Sequence, residues 1–113
     1  MIAHRDPMDD VVAGSGNVFK DLGLDPSPEE MVKIRIAREI SNTISKLGLT
    51  QAEAAKRMGT DQSKVSAVLR GRLDDFSAER LVRFLVSLGH DVEIHFSRKA
   101  RLNERGRLRV RAA

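Results

Sequence analysis

The chain has no cysteine, no tryptophan and no tyrosine. Without thiols it can form neither disulfides nor thiolate-metal centres, a composition that suits a reducing compartment. No apolar run approaches the roughly 18 residues of a membrane span, and the start of the chain shows no signal-peptide pattern. A cytoplasmic location is the expectation. His4, His90 and His95 lack chelate spacing, and no acidic pair accompanies them in a recognisable motif. Gly14 and Gly16 lack the strand, lysine and helix that a phosphate-cradling loop needs, and Ser15, Ser63 and Ser66 lack a positioned base. No catalytic residue, metal or cofactor is expected, and the chain does not read as an enzyme.

At 113 residues the chain is expected to be one domain, too small for two independent cores. Its net charge of +4 is unevenly spread. Residues 97–113 carry seven Lys or Arg against Glu104, whereas in the first 30 residues Arg5 and Lys20 face seven acids. The organisation read from this is a flexible arm over 1–14, a folded domain over 15–96, and a basic tail over 97–113. The tail can lend sequence-independent attraction to phosphates, act as a solubilising end, or pair weakly through its LRVR alternation.

The most informative stretch is LTQAEAAKRMGTDQSKVSAVLRGR, residues 49–72, which reads as two short helices joined at a glycine. Thr50 and Glu53 have the spacing of a capping box, and Ala54, Ala55 and Met58 share a face small enough for another helix to approach closely. Gly59 stands where the chain must leave the helix, and Thr60 or Asp61 can cap the next. There Val65, Val68 and Leu69 bury one stripe, leaving Gln62, Ser63, Lys64 and Ser66 at the helix start. That end of a recognition helix meets base edges, where Gln can pair with adenine, Lys with guanine, and Ser with several bases. Gln51 can donate to a phosphate or brace Gln62, and Arg70 and Arg72 suit phosphate contacts that fix register. A solvated helical pair would show a similar polar face. The local balance of five Lys or Arg against Glu53 and Asp61 favours phosphates.

Around this pair, Pro28 with Glu29 and Glu30 opens a long helix. Ile34, Ala37, Ile40, Ile44 and Leu47 form its core stripe, which ends at Gly48. Ile36 falls off that stripe and is available to a dimer partner or to the N-terminal arm. Arg35, Arg38 and Lys46 read as solvated. A further helix follows Phe76, capped by Ser77 and stapled through Leu81, with Phe84, Leu85 and Leu88 inward and Arg80 and Arg83 outward. Phe84 reads as core, because no exposed aromatic neighbours make it a stacking platform. His90 is a turn or surface residue.

Asp91 to Phe96 alternates polar and apolar, the pattern of a strand, with Val92, Ile94 and Phe96 on one side. A lone strand needs a partner, and antiparallel pairing with the same strand of a second copy is the economical one. The expected protein is therefore a homodimer whose two recognition helices read a palindrome. Pairing with a toxin's sheet or with residues 107–111 competes with that arrangement. Upstream, Val18, Phe19, Leu22 and Leu24 offer an apolar segment that either packs back on the domain or meets a partner, and acidic flanks would steer a basic one.

Residues 49–72 closely resemble the helix-turn-helix of phage-repressor-like (Xre-type) regulators. The wider span, from SGNVFKDLGL at 15–24 to FSAERLVRFLVSLGHDVEIHF at 76–96, is similar to HigA-like antitoxins of type II toxin-antitoxin systems. The resemblance implies a lambda-repressor-like all-α fold of four to five helices, to which the reading above adds one C-terminal β-strand for dimer pairing. It also implies binding to double-stranded operator DNA, autoregulation, and a small ribosome-dependent, mRNA-cleaving toxin as partner, with Val18, Phe19 and Leu22 as candidate toxin contacts. A stand-alone Xre-type regulator without a toxin is the alternative, and an adaptor with a vestigial DNA surface is a third.

Overall fold

Ser27 starts the first helix by two hydrogen bonds: its Oγ accepts from the backbone N–H of Glu30 at 3.1 Å, and its hydroxyl donates to the Glu30 carboxylate at 3.2 Å. Pro28, Glu29 and Glu30 fill the first turn, where proline's missing N–H costs little and negative charge meets the positive end of the helix dipole. Helix α1 runs Pro28–Leu47 and stops at Gly48, whose φ of 65° lies in the left-handed region that a Cβ disfavours. The computed structural model describes residues 27–98, 106 and 108–112, and three more helices follow: α2 (Gln51–Met58), α3 (Gln62–Leu69) and α4 (Ala78–Ser87).

Helix α1 lies along α4 and also meets α3, while α2 meets α3 and α4. One side chain from each helix is wholly shut from solvent: Ile40, Ala54, Val65 and Leu81, all 0% exposed. Burying an aliphatic side chain of the size of Ile40 or Leu81 contributes about 1.5–3 kcal/mol, so these four positions tie every helix to one core. Ala54 and Ala55 are small enough to let α2 come close, and Val65 and Val68 present the buried stripe of α3 as their spacing predicts. Phe76 and Leu81 bracket the Ser77 cap of α4 and are both buried, which makes the expected staple. Phe76 meets Phe84 edge to face, with centroids 6.1 Å apart and planes at 67°. Among the described residues, no helix is long and apolar enough to cross a membrane.

The expected C-terminal strand is absent. No β-strand occurs among the described residues, so the fold is all-α and the pairing of Val92, Ile94 and Phe96 across a two-fold axis falls with it. Alternation defines two faces, but a strand exists only through a partner's N–H and C=O groups, and no described segment pairs with residues 91–98. The apolar side chains project instead, Ile94 at 77% and Phe96 at 90% exposure.

Three smaller expectations also change. Ile36 joins the core rather than serving a partner, because α4 and α3 together cover a wider arc of α1 than one stripe. Arg35 is buried, with its guanidinium 3.7 Å from the Glu39 carboxylate one turn along, the pairing that a buried charge requires. Leu47 is exposed and Leu49 packs on the core in its place, because the chain turns at Gly48 before Leu47 meets another helix. His90 lies in the segment after α4, partly exposed, and also bridges back to α1: the Thr43 hydroxyl donates to the Glu39 carbonyl at 2.8 Å, so its oxygen accepts from His90 Nε2 at 2.5 Å. In the tail, Val110 is half-buried against the core. The arm at 1–14 and the Val18, Phe19, Leu22 and Leu24 segment lie outside the described residues.

Candidate nucleic-acid interface

The turn between α2 and α3 is fixed from both sides. Thr50 and Glu53 close the expected capping box: the Glu53 N–H donates to Thr50 Oγ1 at 3.1 Å, and the Thr50 N–H donates to Glu53 Oε1 at 2.8 Å. The bonds from Thr50 hold the Glu53 carboxyl below its ordinary value, with the charge of Arg57 adding to them. At the other end, Gly59 takes a φ of 70° and the Thr60 N–H reaches back to the Ala55 carbonyl at 2.9 Å. The chain then has two residues in which to reverse before α3 begins.

Asp61, not Thr60, caps α3. Its Oδ1 accepts from the Lys64 backbone N–H at 2.9 Å and from the Ser63 hydroxyl at 2.6 Å, while Oδ2 accepts from Lys64 Nζ at 3.3 Å. These bonds, led by the one from Ser63, lower the Asp61 carboxyl to about 2. A single carboxylate thus orients two side chains of the first helical turn.

Gln62 and Ser63 are exposed, Lys64 and Ser66 are half-buried, and all four lie in the first five residues of α3. Gln51 is exposed at the start of α2, and Arg70 and Arg72 are exposed just beyond α3. No hydrogen bond joins Gln51 to Gln62 among the described residues, so the bracing role is not realised. Of the grouped side chains, Ser63 and Lys64 are joined through Asp61 and line one cleft.

That cleft also contains residues not expected at the interface. Ser63, Lys64 and Ala67 form one wall; Asp75, Phe76 and Arg80 form the other. Arg80, expected to point outward, lies with its guanidinium carbon 5.3 Å from the Phe76 ring centroid and 5.5 Å from that of Phe84. A signal for this was present: Arg80 and Phe84 are four residues apart on α4, and Phe76 stands just before its cap, where it can pack back on the first turn. Arg83 does point outward and meets Glu79 at 3.7 Å, one turn apart on the same helix. A second shallow cleft, lined by Leu49, Glu53, Lys56 and Arg57, lies on the α2 side. Among the described residues, no three His, Cys, Asp or Glu side chains converge as a metal site.

Comparison with known proteins agrees with this geometry. A model of the helix-turn-helix domain family matches residues 18–97. Among solved structures, a chain described as an XRE-family transcriptional regulator is 41% identical, with a TM-score of 0.71 over 75% of this chain and 96% of its own length. No curated protein matches the chain.

Proposed function

The chain belongs to the Xre family of helix-turn-helix DNA-binding proteins, and from that membership we propose that it regulates transcription by placing α3 in the major groove of an operator. Nothing in that role calls for catalysis, and the family is one of non-catalytic regulators. Gln62, Ser63, Lys64 and Ser66 read base edges, while Gln51, Arg70 and Arg72 hold phosphates on either side. The observation that carries this reading is the exposed polar first turn of α3, presented by a helix whose other face, Val65 and Val68, is locked in the core.

An eight-residue helix reaches few base pairs, so a useful operator needs two copies on related half-sites. We propose a homodimer in which the exposed Ile94 and Phe96 side chains are covered by a second copy through side-chain packing, without a shared sheet. The stand-alone regulator is the reading best supported. The antitoxin reading rests on the resemblance and on Val18, Phe19 and Leu22, outside the described residues, and no comparison speaks for a toxin or for autoregulation. A neighbouring reading frame for a small basic protein is the observation that would favour it.

The test is binding of the purified chain to a duplex covering its own upstream region, beside a scrambled duplex, across a salt series with the mass followed in solution. Dimeric binding that prefers the upstream duplex is expected. Equal, strongly salt-sensitive binding to both would mean that charge alone holds DNA.

A further inference from the structure

We propose that Arg80 is a phosphate-binding residue of the DNA interface, pre-oriented by Phe76 and Phe84 and set across the cleft from α3. The proposal rests on the reading of α3 as the recognition helix and adds a contact from α4.

Its first support is the geometry of the guanidinium. With the carbon at 5.3 and 5.5 Å from two ring centroids, the cation is anchored by the negative ring faces. Held over two rings by its central carbon, the guanidinium keeps N–H donors with which arginine can bind a phosphate through two parallel hydrogen bonds. Both rings are buried core residues, so they hold the side chain without moving themselves.

The second support is the distribution of partners. Among the described residues Arg80 makes no ion pair, whereas Arg83 on the same helix is engaged with Glu79. Across the cleft, the Lys64 ammonium has a nearby counter-charge, Asp61 at 3.3 Å, and sits on the helix whose start faces the bases. Of the two lining cations, Arg80 is the one with no carboxylate partner among the described residues. Asp75 lines the same cleft as the one acidic group there among the described residues.

The third support is position. Arg80 shares its cleft with Ser63 and Ala67, which lie one turn apart along α3. When the start of α3 meets base edges, the groove wall beside it is sugar-phosphate backbone, and a cation across the cleft from that helix is placed to reach the strand rather than the bases.

The experiment compares the full chain with Arg80→Met, which keeps an apolar stem over the rings and removes the charge, and with Arg80→Lys, which keeps the charge. Each is titrated with the upstream duplex and a scrambled duplex across a salt series, and thermal unfolding is followed by circular dichroism. The expected result for Arg80→Met is affinity lower by roughly tenfold on both duplexes and a salt slope smaller by about one, with Arg80→Lys restoring the slope. Unchanged affinity and slope in a folded Arg80→Met protein would overturn the proposal and leave Arg80 as a cover over two rings. A loss confined to the upstream duplex would overturn it too, by making Arg80 a base reader. Should Arg80→Met fail to fold, Arg80→Gln is read by the same slope criterion. If the unmodified chain prefers no duplex, the regulator reading falls as well, which separates the two failures.

Discussion

Helices α2 and α3 are equal in length and both begin with glutamine, yet they do opposite things. Helix α2 turns Ala54, Ala55 and Met58 inward, and its cap is closed on itself, Thr50 and Glu53 satisfying each other's backbone amides. Helix α3 also anchors itself through two valines, but its capping carboxylate reaches forward to the Ser63 hydroxyl and the Lys64 ammonium. One cap only finishes a helix. The other finishes a helix and arranges what that helix shows to solvent. The difference between scaffold and reading element is set by a few side chains at each helix start, not by length or propensity.

The largest way to break this comparison is to remove what the two helices share. Leu81→Ala should cost about 2–5 kcal/mol, because the side chain is fully buried where α4 meets the other helices and truncation leaves a cavity. Urea unfolding followed by circular dichroism is the measurement, since the chain has no tryptophan or tyrosine to report by fluorescence. A single cooperative transition, moved to lower urea, would show α2 and α3 failing together. Two transitions would show that the reading helix depends on something other than this core.

A smaller effect sharpens the contrast. Gln51 and Gln62 occupy the same first position of their helices and are both exposed, so Ala at either should leave stability within about 0.5 kcal/mol of the parent. Their effects on DNA should differ. Gln62→Ala is expected to cost about 1–3 kcal/mol on the upstream duplex alone, and Gln51→Ala to weaken all duplexes evenly. Equal behaviour of the two variants would remove the distinction between the helices.

How much of this was legible in the sequence follows the range of each signal. Caps, the α2–α3 turn and the buried stripes are local, written within four residues, and Thr50, Glu53, Gly59, Val65 and Ser77 do what their spacing says. The failures are the features decided by a second element. The 91–96 alternation was a true periodicity without a partner strand, and Ile36 seemed spare only because the arc covered by α3 and α4 cannot be read from α1. Arg35 looks like a surface residue until α1 is packed, although its Glu39 partner lies one turn along the same helix, and the contact of His90 with Thr43 joins residues far apart in the chain. In the candidate interface, the first-turn side chains of α3 were visible in the pattern, whereas Arg80 required the approach of α4 to α3 to place it at a cleft.

The finest test of the comparison is the charge on Asp61. Its carboxyl titrates at about 2 in the folded chain against an ordinary 3.8, so the cap's contribution to stability is complete above 3.8 and is lost as pH falls toward 2. Glu53 is lowered as well, so an acid titration of the parent alone mixes the two caps. Asp61→Asn separates them, because asparagine caps a helix as well as aspartate but does not titrate. The difference between parent and Asp61→Asn unfolding curves should therefore be flat above pH 4 and shrink below it. At neutral pH the same substitution frees the Lys64 ammonium from its counter-charge at 3.3 Å. Binding to the scrambled duplex should then strengthen and the preference for the upstream duplex narrow, whereas Glu53→Gln, which alters the closed cap of α2, should leave that preference where it is. If both substitutions narrow it equally, the forward reach of the Asp61 carboxylate has no part in recognition, and the two helix starts differ in geometry alone.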